Sequence, residues 1–148
     1  MEADYKVSVV VIVKNDPRIR YMLESLLAQM HKPHEVIVVA DYGNDPSLAI
    51  AKEYTSALPL KIVVNDIAPG YGGARAKGVS EAQGDIIAFI DAECIAHSDW
   101  IKNLLLGFRK PHVYVQVGRT LGIEELGDGL EHFKWSRIEF DEGSIKPI

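Results

Sequence analysis

The stretch Gly84-Asp-Ile-Ile-Ala-Phe-Ile-Asp-Ala-Glu93 has the pattern of a short apolar strand that ends on two carboxylates. Side chains alternate faces along an extended backbone, so we expect Asp91 and Glu93 to point the same way. Carboxylate oxygens suit hard cations such as Mg²⁺ and Mn²⁺, and these ions keep positions open for substrate phosphates. The spacing therefore predicts a metal site and a phosphorylated substrate, against the alternative of acids that only solvate a loop.

Strand and helix patterns alternate along the rest of the chain. The segment from Val7 to Val13 is almost wholly β-branched, which is typical of a strand covered on both faces in a parallel sheet. The other predicted strands are Glu35 to Ala40, Leu60 to Asn65, Asp85 to Ile90 and Val113 to Val117. This order predicts an α/β sandwich with a mostly parallel sheet.

Helical periodicity fills the segments between the strands. Asp16 and Pro17 are typical of a helix cap and first turn, and apolar residues then recur at helical spacing at Ile19, Met22, Leu23, Leu26, Leu27 and Met30. The other helices are predicted to begin at Asp45-Pro46, to run from about Gly73 to Ala82, to follow a Ser98 cap, and to cover about Asp128 to Phe140 in the tail of residues 124–148.

Composition limits the class of protein. With 148 residues, of which 47% are hydrophobic, the chain can bury one core and is predicted to form a single domain over residues 1–148. A net charge of −5 without a basic run argues against nucleic acid as a partner. The single cysteine, Cys94, suits a reducing compartment, and no apolar run is long enough for a membrane span. We expect a cytoplasmic protein, or one associated with the membrane through a region outside this sequence.

Polar residues follow four of the predicted strands. They are Lys14-Asn15-Asp16, Asp41-Tyr42-Gly43, Asn65-Asp66 and Asp91-Ala92-Glu93. Ligands of open α/β sheets bind beyond the carboxyl ends of the strands, so these segments mark the expected site. The place of Asp41 at the end of the second strand favours ligand binding over a turn role. For Lys14 and Asn15 the two roles are balanced, because Asn15-Asp16 also serves to start the next helix. His97 is a candidate third metal ligand or simply a polar loop residue.

The glycine-rich segment Gly70-Tyr-Gly-Gly-Ala-Arg-Ala-Lys-Gly78 fits neither common phosphate loop. It follows the third strand and carries Arg75 where a dinucleotide fingerprint has its third glycine. It also lacks the Gly-Lys-Ser/Thr of a Walker loop, because Ala76 precedes Lys77. The segment remains a flexible loop that brings Arg75 to a helix N-terminus, which favours contact with an anion over a plain surface role.

Four segments together resemble the successive signatures of family 2 glycosyltransferases. They are Val7-Ser-Val-Val-Val-Ile-Val-Lys-Asn15, Glu35-Val-Ile-Val-Val-Ala-Asp41, Gly73-Ala-Arg-Ala-Lys-Gly78 and Ala82-Gln-Gly-Asp-Ile-Ile-Ala-Phe-Ile-Asp-Ala-Glu93. The resemblance spans residues 5–108 and implies the GT-A fold, a Rossmann-like three-layer α/β/α sandwich. It also implies metal-dependent, inverting transfer of a sugar from a nucleotide-diphospho-sugar, with a UDP-sugar favoured, to a hydroxyl of a lipid, saccharide or protein acceptor.

The resemblance also implies roles for individual residues. Val13 and Lys14 would lie along the nucleotide, Asp41 would bind the base, and Arg75 would approach the nucleotide. Asp91 would face the ribose or the donor sugar. Glu93 would ligate the Mn²⁺ or Mg²⁺ that bridges the diphosphate, so Asp91 and Glu93 are the predicted catalytic pair.

The sequence departs from the family in three motifs and in its extent. Ile-Val-Lys14-Asn15 replaces the usual Pro-x-Tyr-Asn, Ala-Asp41-Tyr-Gly replaces Asp-Asp-Gly-Ser, and Glu93 replaces an aspartate. We expect the domain to lack the acceptor half that holds the family's base, for which Glu139, Asp141 and Glu142 are the substitutes available here. A non-catalytic nucleotide-binding or partner-binding module and a sugar-phosphate nucleotidylyltransferase are the alternatives; the latter should carry its glycine-rich loop after strand one.

Overall fold

The computed structural model describes residues 4–120, which form four strands and four helices in strict alternation. In chain order they are β1 (Val7–Ile12), α1 (Ile19–Leu27), β2 (Glu35–Ala40), α2 (Pro46–Lys52), β3 (Leu60–Val64), α3 (Tyr71–Glu81), β4 (Ile86–Asp91) and α4 (Trp100–Phe108). The longest of these helices, α3, has 11 residues. No helix in the described part of the chain is long and apolar enough to cross a membrane.

The four strands form one parallel sheet in the order β3-β2-β1-β4. In the central register, Val10 of β1 lies opposite Ile37 of β2 and Phe89 of β4. Because every pairing is parallel, the carboxyl ends of all four strands lie along the same edge. The predicted fold class is confirmed, and its geometry brings the four polar segments to one side of the sheet.

Helices cover both faces of the sheet. Alternate residues of β1 separate the two cores, since Val9 and Val11 pack with the apolar faces of α1, α2 and α4, whereas Val10 packs with Ala74 of α3. All three valines are fully buried, as expected for a parallel strand with helices on both sides. A Cβ added to Gly78 would overlap the side chain of Val10, so the small residues of α3 allow this helix to approach the sheet closely.

The first helix is shorter than its apolar periodicity predicts. It ends at Leu27, and Met30 is 74% exposed instead of joining the apolar face. The reason is a change of hydrogen-bond partner, since the Met30 N–H donates to the carbonyl of Ser98 (2.8 Å). Asp16 and Pro17 also lie one turn before the helix, where Asp16 Oδ1 accepts the N–H of Arg18 (3.0 Å).

Two further predictions near the end of the described residues are wrong. Residues 113–117 form no strand, and Tyr114, Val115 and Val117 are well exposed. Strand propensity reports packing against neighbouring strands, and here the Gln116 amide donates instead to Leu104 O (2.7 Å). Ser98 does not cap α4, because the helix begins after Asp99. The predicted tail helix and the candidate bases after residue 124 lie outside the described residues.

Candidate functional site

The loop after β1 is held against the start of α2. Asn15 adopts a left-handed backbone (φ 46°), which asparagine tolerates better than most residues, and its N–H donates to Asp45 Oδ2 (2.8 Å). Asp16 N–H donates to the buried Ser47 Oγ (2.8 Å). Lys14 is thereby presented to solvent at the sheet edge. Val13 is 2% exposed and its side chain belongs to the core, so any ligand contact from this residue must come from its main chain.

Asp41 links the end of β2 to the glycine-rich segment. Its Oδ1 accepts the amide of Asn65 (2.7 Å), and its Oδ2 accepts the main-chain N–H of Gly70 (2.9 Å). These hydrogen bonds, with a smaller contribution from the charge of Lys14, hold the pKa of Asp41 below its usual value. Asp41 is therefore ionised at neutral pH, and the positive charge of Lys14 acts on it.

Arg75 and Asp91 meet across the same edge. The Arg75 guanidinium lies 3.8 Å from Asp91 Oδ1 and 5.9 Å from the ring centroid of Tyr71. Both charged side chains are about half exposed, so the pair is weak and its members are free to exchange partners. Gly70, which precedes α3, has φ 100° and is needed for the turn into this helix. The prediction of a flexible loop is wrong, because α3 begins at Tyr71 and includes Arg75; the predicted place of Arg75 near a helix N-terminus agrees with this geometry.

The backbone at the acidic pair differs from the extended conformation assumed from the sequence. Asp91 is the last residue of β4, and Ala92 and Glu93 form a turn in which Cys94 N–H donates to Asp91 O (3.0 Å). Strand alternation therefore does not orient the two carboxylates. Both are nevertheless exposed at the carboxyl end of β4, where the burial of Ala92 fixes the turn between them.

The described residues contain no group of three or more His, Cys, Asp or Glu side chains that could hold a metal ion together. His97 is 8% exposed, and its Nδ1 accepts the N–H of Asp99 (3.1 Å). Burial lowers the pKa of His97 and raises that of the Cys94 thiol. His97 is therefore a structural loop residue, and Cys94 is a poor thiolate nucleophile.

The structure gives roles to residues for which the sequence predicted no individual contact. Asp45 and Ser47 position the β1 loop, and Asn65 joins Asp41 to the loop before α3 through its amide, which also donates to Ala68 O (2.6 Å). Arg18 forms an ion pair with Asp16 (2.7 Å), which is the main cause of the raised pKa of Arg18. The negative charge of Glu93 makes a smaller contribution in the same direction. The signal in the sequence was their position directly after a strand or at a helix start.

Comparison with known proteins gives relatives of one kind. The putative glycosyltransferase EpsH of Bacillus subtilis is 37% identical over 119 residues, which are 80% of this chain and 31% of EpsH. The structure of S. aureus TarS 1-349 in complex with UDP-GlcNAc matches with a TM-score of 0.61 at 27% identity, over 72% of this chain and 32% of that chain. The chain thus spans about a third of the length of these relatives.

The mannosyltransferase PcManGT from Pyrobaculum calidifontis, in complex with GDP-Man and Mn²⁺, shares the fold. Its TM-score is 0.67 at 20% identity, over 83% of this chain and 37% of that chain. The model of Glycosyl transferase family 2 matches residues 8–145, nearly the whole sequence. The chain therefore belongs to Glycosyl transferase family 2.

Proposed function

We propose that the chain is the donor-binding part of a glycosyltransferase that moves a sugar from a nucleotide-diphospho-sugar to an acceptor hydroxyl. The observation that carries this proposal is the meeting of Asp41, Arg75 and Asp91 at one sheet edge, in a chain with the family's signatures. The bound UDP-GlcNAc of TarS, which is 27% identical, supports a UDP-sugar as the donor.

The nucleoside end is assigned to the strands β1 and β2. Asp41 is ionised, and each of its oxygens can accept a second hydrogen bond, from a donor on a nucleobase, beside the one from Asn65 or Gly70. The main chain of Val13 and the exposed Lys14 would lie along the nucleotide. A carboxylate that accepts two N–H groups can read an edge of a base because its oxygens are fixed in advance.

The diphosphate end is assigned to Arg75, Asp91 and Glu93. Arg75 is about half exposed and only loosely paired, so it can turn from Asp91 towards a phosphate. Asp91 would then face the ribose or the donor sugar. The donor set fits a divalent ion that arrives with the diphosphate, because Mg²⁺ and Mn²⁺ are commonly held by one or two carboxylates together with substrate phosphates. Glu93 is the proposed ligand, and the Mn²⁺ in the PcManGT complex supports a divalent ion as the metal.

The chemistry follows from these positions. A bound Mn²⁺ or Mg²⁺ would neutralise charge on the leaving diphosphate. Arg75 adds a second positive charge at the same group, and Asp91 would orient the sugar for attack on its anomeric carbon. In-line attack by an acceptor hydroxyl, from a lipid, saccharide or protein, would invert the anomeric configuration. A carboxylate base would take the hydroxyl proton, and no residue between 4 and 120 has a convincing claim to that role.

We propose further that residues 1–148 supply donor binding and that the acceptor half lies in a longer protein, since the chain spans about a third of the length of its relatives.

Titration calorimetry tests the proposed binding of donor and metal. UDP and UDP-GlcNAc should bind with Mn²⁺ present and bind much more weakly in EDTA, because the acidic edge repels phosphates without a cation. Equal binding in EDTA would contradict the metal assignment, and no binding under either condition would contradict donor binding itself.

A further inference from the structure

Two polar side chains, one on the inward face of α1 and one just after it, are buried. Ser25 is 0% exposed, and Gln29, just after the helix, is 2% exposed. Both are polar, whereas their neighbours Met22, Leu23 and Leu26 are apolar core residues. Buried polar groups cost free energy unless they are hydrogen-bonded, so their partners indicate their role. Both side chains bond to the segment that follows the acidic turn of β4.

Ser25 bonds to the beginning of this segment. Its Oγ donates to Met22 O (2.6 Å) within the helix and accepts the N–H of Ala96 (3.0 Å). Ala96 is itself 4% exposed, so its N–H cannot turn to water. The chain from Asp91, fixed in the sheet opposite Ile12, to Ala96 therefore has two anchored ends, and Glu93 lies between them.

Gln29 bonds to the rest of the segment. Its Nε2 donates to His97 O (2.6 Å) and to Ser25 O (3.2 Å), and its Oε1 accepts the N–H of Ile101 (3.1 Å). Helix α4 has no side-chain cap of its own, so Gln29, which follows α1, satisfies an N–H of the first turn of α4. The Met30 N–H adds a bond to Ser98 O (2.8 Å).

We propose that Ser25 and Gln29 are positioning residues for Glu93, which they hold in place through residues 94–101. The proposal rests on the role of Glu93 as the metal ligand proposed above. Glu93 stands on a turn at the protein surface, where its own exposure gives no packing that would fix it. Groups that orient a metal ligand commonly change metal affinity by about 10–100-fold when they are removed.

Gln29→Met tests this proposal. Methionine has a similar length and suits the apolar surroundings, but it removes all three hydrogen bonds of the Gln29 side chain. The affinity for Mn²⁺ at saturating UDP, measured by electron paramagnetic resonance, should fall about tenfold. Amides of residues 94–101 should exchange hydrogen faster. Binding of uridine, which carries no phosphate and is assigned to Asp41, should stay within about twofold when followed by NMR. Ser25→Ala should act in the same direction, and it serves as the second variant if Gln29→Met does not fold.

Leu58→Ala is the control for general loss of stability, because Leu58 is buried in the same core and its apolar side chain forms no hydrogen bond to this segment. All variants are compared at a temperature where each is fully folded. Unchanged Mn²⁺ affinity in both Gln29→Met and Ser25→Ala, or an equal loss in Leu58→Ala, would overturn the positioning role alone. A wild-type chain that binds no Mn²⁺ with UDP would overturn the proposed function as well.

Discussion

Asp41 Oδ2 accepts the main-chain N–H of Gly70 at 2.9 Å, which joins the end of β2 to the residue that precedes α3. Arg75 lies one turn further along α3 and contacts Asp91 of β4. One carboxylate therefore borders both the proposed base site and the start of the helix that carries the proposed phosphate contact. We assign Asp41 to the base, whereas Arg75 is held within α3 and is assigned to the diphosphate.

Replacing Asp41 by alanine should weaken UDP binding without weakening metal-dependent binding of inorganic pyrophosphate. Loss of a hydrogen bond to a buried polar group costs about 1–3 kcal/mol, which is roughly five- to 150-fold in affinity. Asp85→Ala is the matched control, since Asp85 also accepts a main-chain N–H, from Lys6 (2.9 Å), but precedes β4 at the opposite edge. Calorimetry with both ligands checks this, and equal weakening of UDP and pyrophosphate would remove Asp41 as a base reader.

The Glu93→Gln variant should lose metal-dependent binding of UDP and keep its fold. Glu93 is exposed in a turn, so the free energy of unfolding should change by less than about 1 kcal/mol. Glu53→Gln is a suitable control because Glu53 is also exposed but pairs with Arg20 (2.8 Å). Thermal unfolding and calorimetry are compared in EDTA and in Mn²⁺. A large drop in the metal-free melting temperature of Glu93→Gln would identify a structural role instead.

The carboxylate of Glu35 should make stability depend on pH. Burial alone would raise the pKa of Glu35, but hydrogen bonds from Ser8, Gln83 and Lys61 outweigh it and hold the pKa below the usual 4.5. The unfolded chain then binds the proton more readily, so this stabilisation is present above about pH 4.5 and is lost as the pH falls through the lower folded pKa.

Glu35→Gln should accordingly lower the free energy of unfolding by about 1.5–3 kcal/mol at pH 7, the usual value of hydrogen bonds to a charged group. Urea denaturation from pH 7 to pH 3 should show the difference from wild type shrinking below pH 4.5. A difference that stays constant over this range would mean that the pKa of Glu35 is the same in the folded and the unfolded chain.

The 148-residue chain should bind donor and transfer sugar poorly by itself. The proposed donor edge lies within the first 93 residues, whereas general-base catalysis typically contributes about 10²–10⁴-fold and depends on a group outside it. A radiolabelled UDP-sugar assay should compare this chain with a version extended beyond Ile148, using lipid and saccharide acceptors. Comparable transfer by both would make Glu139, Asp141 and Glu142 the first residues to mutate.

The sequence predicted the two central strands, β1 and β2, well because they are buried on both faces. Runs such as Val7 to Val13 have no polar face, and the structure buries Val9, Val10 and Val11 completely. Asp45 and Pro46 likewise begin α2 as predicted, since Asp45 Oδ1 accepts the N–H of Ser47 (2.8 Å). These signals are local, so a single sequence is enough to detect them.

The errors arose where contacts distant in sequence decide the outcome. Met30 leaves the helix pattern because its N–H bonds to Ser98, 68 residues later, and residues 113–117 have strand propensity but no strand to pair with in the described structure. The turn after Asp91 also replaced the extended backbone that would align Asp91 with Glu93. Periodicity reports none of these contacts, and the buried partners of Ser25 and Gln29 escaped notice for the same reason.

Amide NMR of the chain titrated with UDP and Mg²⁺ tests the location of the donor most directly. The account predicts shift changes in residues 13–15, 41, 70–75 and 91–93, at the carboxyl ends of the strands, and little change at the opposite edge around Ser8, Glu35 and Gly84. Changes confined to that opposite edge, or none at saturating UDP and Mg²⁺, would contradict it.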